Sequence, residues 1–155
     1  MGKTVQCVRV LGGYIEVPVD ELEFRPSAYA LVRRGHRLLL IRMKLTGKLF
    51  LPGGGIEPGE SAGHAVVREV FEETGLKLKN VNFWKMFENF AYYDPTQKAY
   101  HVHLLIYTAE VDGDWQISRE DPEEGPAEWV NMEKAKDKEF QNIALDIARL
   151  YMAWR

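Results

Sequence analysis

Hydrophobic positions along the chain change their period several times, and each change marks an element. In AYALVRRGHRLLLIRMK, residues 28–44, two apolar runs, Ala28–Val32 and Leu38–Ile41, flank a polar stretch around Gly35. This predicts two strands joined at a Gly35 turn, the second apolar enough to be covered on both faces. GKLFLPGGG, residues 47–55, reads as a short strand running into a glycine loop. From Ser61 the spacing becomes helical, with Ser61 placed to cap a helix and Gly75 to end it. Residues 81–92 and 100–111 are rich in β-branched and aromatic side chains and predict a long strand pair closed around Asp94-Pro95. An acidic loop follows, DGDWQISREDPEEGPAE, then a brief strand at Glu128–Val130. Phe140, Ile143, Ala144, Ile147, Ala148, Tyr151 and Trp154 keep helical spacing, predicting a C-terminal amphipathic helix whose stripe packs on the core. Residues 5–19 are mixed, with Leu11-Gly12-Gly13 and Pro18 interrupting any long element. No repeat, low-complexity tract or linker divides the chain, so residues 1–155 read as one domain of the α/β class.

Composition narrows the function classes. A chain of 155 residues with 46% hydrophobic content can bury a real core. The net charge of −3 implies no general surface for nucleic acid polymers. A phosphate-bearing ligand would need local cations or a metal to approach it. Cys7 is the single cysteine, so no intramolecular disulfide forms and a reducing compartment is expected. MGKTVQCVRV lacks the apolar core of a signal peptide, and Gln6 stands where a myristoylation signal needs Ser or Thr. No apolar run approaches the ~20 residues of a membrane span. The expectation is a cytoplasmic protein without a membrane partner, a monomer or a homodimer.

One short helix carries unusual chemistry. Within GGIEPGESAGHAVVREVFEETGL, residues 54–76, Glu69, Glu72 and Glu73 share one helical arc and repel one another. Either they point into water, or something positive sits among them. Ala62 and Ala65 lie on the same arc, so the carboxylates are expected to face open space. Val66, Val67, Val70 and Phe71 form a separate apolar arc that can dock on a sheet. Arg68, one turn before Glu72, can hold a carboxylate oxygen. Hard divalent cations want such oxygen ligands, and the glycines at 53–55 let backbone carbonyls approach.

The segment matches the Nudix box, G-x5-E-x7-R-E-U-x-E-E-x-G-U with U aliphatic, at every set position: Gly54, Glu60, Arg68, Glu69, Val70, Glu72, Glu73, Gly75 and Leu76. The chain therefore resembles a Nudix hydrolase. The resemblance implies an α/β/α sandwich with a mixed central sheet, a box loop and helix, and a C-terminal helix. It also implies Mg²⁺ or Mn²⁺ held by Glu69, Glu72, Glu73 and the Gly53 carbonyl. Arg68 matches the arginine that orients a glutamate, and Glu60 the earlier glutamate that is a structural partner in some members and an accessory ligand in others. The implied reaction is hydrolysis of a nucleoside diphosphate linked to some group X.

The general base and the substrate are less sharply marked. In several members of the family the base sits in a late loop, where this chain carries Glu120, Asp121, Glu123 and Glu124. EGPAEW resembles the corresponding stretch of mutator-type triphosphate hydrolases, which favours Glu124, then Glu123, with Glu72 as a further alternative. Arg42, Lys44 and Lys48 flank the strand entering the glycine loop and could reach substrate phosphates. His64 reads as a surface residue. His101 and His103 share a strand face at a spacing that permits a metal pair, with a structural or substrate-contact role preferred. Tyr92 and Tyr93 fall where diadenosine polyphosphate hydrolases carry a tyrosine that could stack a base. The default expectation is a nucleoside triphosphate pyrophosphatase. The alternatives are a diadenosine polyphosphate hydrolase and a catalytically silent nucleotide-binding regulatory domain. An isomerase on the same scaffold would need a cysteine near the box, and Cys7 lies far upstream.

Overall fold

A computed structural model describes residues 2–141 and 143–154. Strands β1 (Thr4–Arg9) and β2 (Tyr14–Pro18) are followed by the long β3 (Leu22–Arg34) and by β4 (Arg37–Arg42). Two short strands, β5 (Leu49–Phe50) and β6 (Gly53–Gly55), lead into helix α1 (Ala62–Thr74). Strands β7 (Leu78–Tyr93) and β8 (Lys98–Val111) form the long antiparallel pair, and β9 (Ala127–Asn131) and helix α2 (Ala144–Trp154) complete the order.

The sheet runs β2-β1-β7-β8-β3-β4-β5, with β6 also on β3 and β9 on β4. It is mixed: β3 pairs with β8 in parallel from Leu22/Ala99 to Val32/Ala109, while its other neighbours are antiparallel. Alternation along β3 sends Ala28, Ala30 and Val32 to one face, where Ala65, Val66 and Val70 of α1 pack on them. Leu31 points to the other face and meets Leu104, Ile106 and, from α2, Ala144, Ile147, Ala148 and Tyr151. Leu38–Ile41 are buried on both sides, as their unbroken apolar run demands. The result is a sheet between two helices, the expected α/β/α sandwich.

The break expected at Leu11-Gly12-Gly13 is present, and there Gly12 and Gly13 turn β1 into β2 as an antiparallel hairpin that ends at Pro18. Two expectations need correction. Gly53–Gly55 is a strand rather than a loop, because its backbone pairs with Ser27–Tyr29 of β3. Phe140 precedes α2 instead of belonging to it, yet it is buried in the same core, where its backbone bridges to Leu49. No helix among the described residues is long and apolar enough to cross a membrane.

Candidate active site

The glycine strand sets the site. In its pairing with β3, Ala30 donates to the Pro52 carbonyl and Ile56 to the Pro26 carbonyl, at 2.9 and 3.1 Å. Antiparallel alternation then turns the peptide groups of Gly53 and Gly55 away from β3, toward α1. The Gly53 N–H donates to Glu73 Oε1 at 2.8 Å, and Arg68 Nη2 donates to the Gly55 carbonyl at 3.3 Å. Only glycine allows this approach. Gly53 has φ 144°, and a Cβ there would lie 2.2 Å from the Ala28 carbonyl. A Cβ on Gly54 would lie 2.8 Å from the Glu69 carboxylate.

Helix α1 presents the carboxylates. Ser61 Oγ accepts from the His64 N–H at its start, and Gly75, left-handed at its end, donates to the Phe71 carbonyl. Arg68 organises the outer part of the cluster. Its Nε and Nη2 donate to the two oxygens of Glu60 at 2.7 and 2.9 Å, and its Nη1 donates to Glu69 at 3.1 Å and Glu72 at 3.3 Å. The paired guanidinium, with the Glu57 N–H, holds the Glu60 carboxyl down at about 2. Both Glu60 oxygens thus accept from Arg68.

Glu73 is the opposite case. It is 2% exposed, which corrects the expectation that all three carboxylates face open space. Ala65, on the same arc, packs into the core. Burial pushes the Glu73 carboxyl up to about 9, with repulsion from Glu69 and Glu124 adding to it and the Gly53 N–H opposing it. Burial also raises Glu69, against the pull of Arg68. Buried and half-buried carboxyls resisting ionisation beside a glycine strand fit a hard cation: the donors are all oxygen, and while Arg68 offsets Glu69, Glu73 receives only the Gly53 N–H among the described residues.

Of the box carboxylates Glu73 lines a cleft of about 420 Å³, whereas Glu69 and Glu72 stand outside its lining. Glu73, Gly53, Gly54, Glu123 and Glu124 line it on the box side, and Phe50, Tyr92, Tyr93 and Tyr100 contribute aromatic walls. The acidic loop reaches the cleft because Asp121 folds it tightly. Asp121 accepts from the N–H groups of Glu123 and Glu124 at 2.9 and 3.4 Å, and its carbonyl accepts from Gly125. The Lys44 N–H donates to the Glu124 carbonyl at 2.7 Å, and Lys44 Nζ to the Pro122 carbonyl. The loop thereby separates the four acidic residues: Glu123 and Glu124 line the cleft, while Glu120 and Asp121 do not. Glu124 is exposed at the cleft mouth, with desolvation on its cleft side and the Asp121 charge pushing its carboxyl up.

Arg42 and Lys48 do not reach this cleft. Arg42 points to β9, donating to both oxygens of Glu128 at 3.0 and 2.8 Å and to the Gly47 carbonyl, while Lys48 stands exposed. The cation that does line the cleft is Arg25 on β3, 5.5 Å over the Tyr100 ring and near Gly55. Strand alternation could have revealed it, since Arg25 shares a β3 face with Tyr29. Gln141 was also missed. It is buried in the cleft wall, its Nε2 donates to the Val10 carbonyl at 2.8 Å, and its Oε1 has no partner among the described residues. Nothing local in the sequence marks it.

The family model described as the NUDIX domain matches residues 23–151. The NAD-capped RNA hydrolase NudC of Haemophilus influenzae (strain PittEE) is 41% identical over 88 residues, 52% of this chain and 30% of that protein. Diphosphoinositol polyphosphate phosphohydrolase 3-alpha of Homo sapiens is 37% identical over 103 residues, 64% of this chain and 60% of that protein. The chain thus spans less than two thirds of the length of these relatives. Among solved structures, a MutT protein from Methanosarcina mazei Go1 has a TM-score of 0.60 at 27% identity, covering 86% of this chain and 96% of that one. A MutT NUDIX hydrolase from Burkholderia pseudomallei has a TM-score of 0.68 at 21% identity, covering 82% and 97%, a likeness of fold.

Proposed function

Since this chain belongs to the Nudix family, we propose that it hydrolyses a phosphoanhydride in a nucleoside diphosphate linked to X, most simply a nucleoside triphosphate cut to the monophosphate and pyrophosphate. The observation that carries this is Glu73, buried, raised to about 9 with the Glu69 charge adding to the shift, and lining an aromatic-walled cleft. A cleft that merely bound a neutral ligand would have no use for carboxyls destabilised in this way.

In this reading Glu69, Glu72, Glu73 and the Gly53 carbonyl hold Mg²⁺ or Mn²⁺. When bound, the ion neutralises charge on the phosphate oxygens and lowers the pKa of a coordinated water. Arg68 keeps the helix carboxylates oriented through its bonds to Glu60, Glu69 and Glu72. Glu124 takes the proton of the attacking water, its raised pKa bringing it closer to neutral pH than an ordinary carboxylate. Glu123 follows it, then Glu72. Arg25 contacts the phosphates, and one of the two tyrosines stacks the base, Tyr93 before Tyr92 because alternation along β7 turns Tyr92 to the other face, where it packs with Phe90 against Cys7 and Ala99. Gln141 Oε1 accepts from an N–H of that base, which would satisfy a buried acceptor otherwise left unpaired.

The named relatives act on NAD-capped RNA and on diphosphoinositol polyphosphate, so the box alone does not choose the substrate. A cleft of about 420 Å³, near the small end for ligand sites, favours one nucleoside over the two of a dinucleoside polyphosphate. The test is a turnover screen with Mg²⁺ and with Mn²⁺ over nucleoside triphosphates, dinucleoside polyphosphates, dinucleotide cofactors and NAD-capped RNA, with products separated by chromatography. Release of pyrophosphate and monophosphate from triphosphates is expected to dominate. Binding without turnover of any of them would instead support the silent regulatory domain.

A further inference from the structure

We propose that Glu88, His101 and His103 form a binding site for one transition-metal ion of the Zn²⁺ class, separate from the box. Strand alternation sends Asn89, Tyr100 and Val102 into the cleft, so these three residues lie on the opposite face of the sheet. In register, Glu88 stands directly across from His103, and His101 is two residues along the same strand. Helix α1 covers that face from Ala28 onward, whereas His101 and His103 sit beside Phe24 and Pro26, past its reach.

The geometry is convergent. His101 Nε2 lies 2.9 Å from Glu88 Oε2, and His103 Nε2 lies 3.9 Å from the same oxygen. Ligand atoms from all three residues fall within 4.8 Å of one another. Bonds of ~2.0–2.2 Å in a tetrahedral zinc site separate ligand atoms by roughly 3.3 Å, so side-chain rotations close the triangle without moving the strands. A simple surface hydrogen bond would need only His101 and Glu88; it gives no reason for the second imidazole to aim at the same oxygen. The rings are held in this pose. Phe90 stacks on His101 at 4.5 Å, and Phe24 meets His101 and His103 edge-on at 5.9 and 4.7 Å. Two imidazoles and one carboxylate select Zn²⁺, Co²⁺ or Ni²⁺ over Mg²⁺, unlike the all-oxygen box. The side chains remain 26–52% exposed, which keeps a fourth position open to solvent.

The test uses chelator-stripped protein in which Glu69, Glu72 and Glu73 are all Gln, so that the box cannot contribute. Equilibrium dialysis should find one Co²⁺ per chain with the visible absorption of a tetrahedral ion, displaced by equimolar Zn²⁺. Adding His103→Ala or His101→Ala should weaken binding by at least ~10²-fold, beyond the loss seen on removing an outer partner of a ligand. Uptake unchanged by His103→Ala, or no uptake at stoichiometric metal, overturns the proposal. The wild-type chain gives a second readout. Substoichiometric Co²⁺ should broaden the imidazole NMR signals of His101 and His103 before those of His36 and His64, and uniform broadening of all four overturns it as well.

Discussion

Glu60 and Glu73 belong to one motif, yet the protein treats them in opposite ways. Glu60 meets a guanidinium and a backbone N–H and is held at about 2. Glu73 is buried, receives one N–H from Gly53 and is raised to about 9. The region around Arg68 is electrostatically complete, and the region between α1 and the glycine strand is not. A site that folding leaves short of positive charge is where a cation lowers the free energy most. The contrast divides the box into a part whose charges the protein balances and a part whose charges it leaves unbalanced.

The sharpest way to break the contrast is Glu73→Gln. The amide keeps an oxygen for the Gly53 N–H and the volume of the side chain, but it removes a charged ligand. Turnover at saturating Mg²⁺ should fall ~10³-fold or more while circular dichroism is unchanged, in the range expected when a group that stabilises transition-state charge is lost. Near-wild-type turnover would remove Glu73 from the metal site. Next in size is Glu124→Gln, which should lower kcat ~10²-fold with KM little changed, because the group acts on the water and not on the nucleotide. If the rate holds, Glu123 and then Glu72 inherit the role.

Smaller effects fall on the aromatic side of the cleft. Tyr92→Ala or Tyr93→Ala should raise KM by an amount equivalent to ~1–3 kcal/mol if either ring stacks a base. A larger loss with a dinucleoside polyphosphate than with a triphosphate would revive the diadenosine alternative, and equal losses would end it. Gln141→Leu should change relative kcat/KM among nucleobases, because its unpaired oxygen then no longer tells a donor from an acceptor.

Stability against pH gives the mildest test. Glu73 binds its proton more tightly folded than unfolded, so the metal-free protein should lose stability as pH rises from about 4.5 toward about 9. Glu60 works the other way: its contribution is present above 4.5 and is lost as pH falls toward about 2. Melting curves of metal-free protein should therefore shift down between pH about 5 and about 9, and Glu73→Gln should flatten that slope. Added Mg²⁺ should raise the melting temperature more at the alkaline end, where its ligands are already ionised. A slope that Glu73→Gln leaves unchanged would locate the titrating group elsewhere.

Much of this was written locally in the chain. The shared arc of Glu69, Glu72 and Glu73 follows from helical period, the ends of α1 from Ser61 and Gly75, and the doubly buried β4 from Leu38–Ile41. Such features depend on neighbours within a few residues, so periodicity and capping suffice to read them. Which carboxylate is buried was not among them. Glu73 is covered because β6 pairs with β3, and that pairing rests on a backbone approach that glycine permits but does not announce. Arg25, Gln141 and the acidic loop come to the cleft from segments far apart in sequence, placed there by sheet order and by the Asp121 turn. Glu88 meets His103 only through strand register. Local spacing determined which side chains could act together on one element; desolvation and cross-strand encounter, which exist only after the sheet closes, decided which of them carry unbalanced charge.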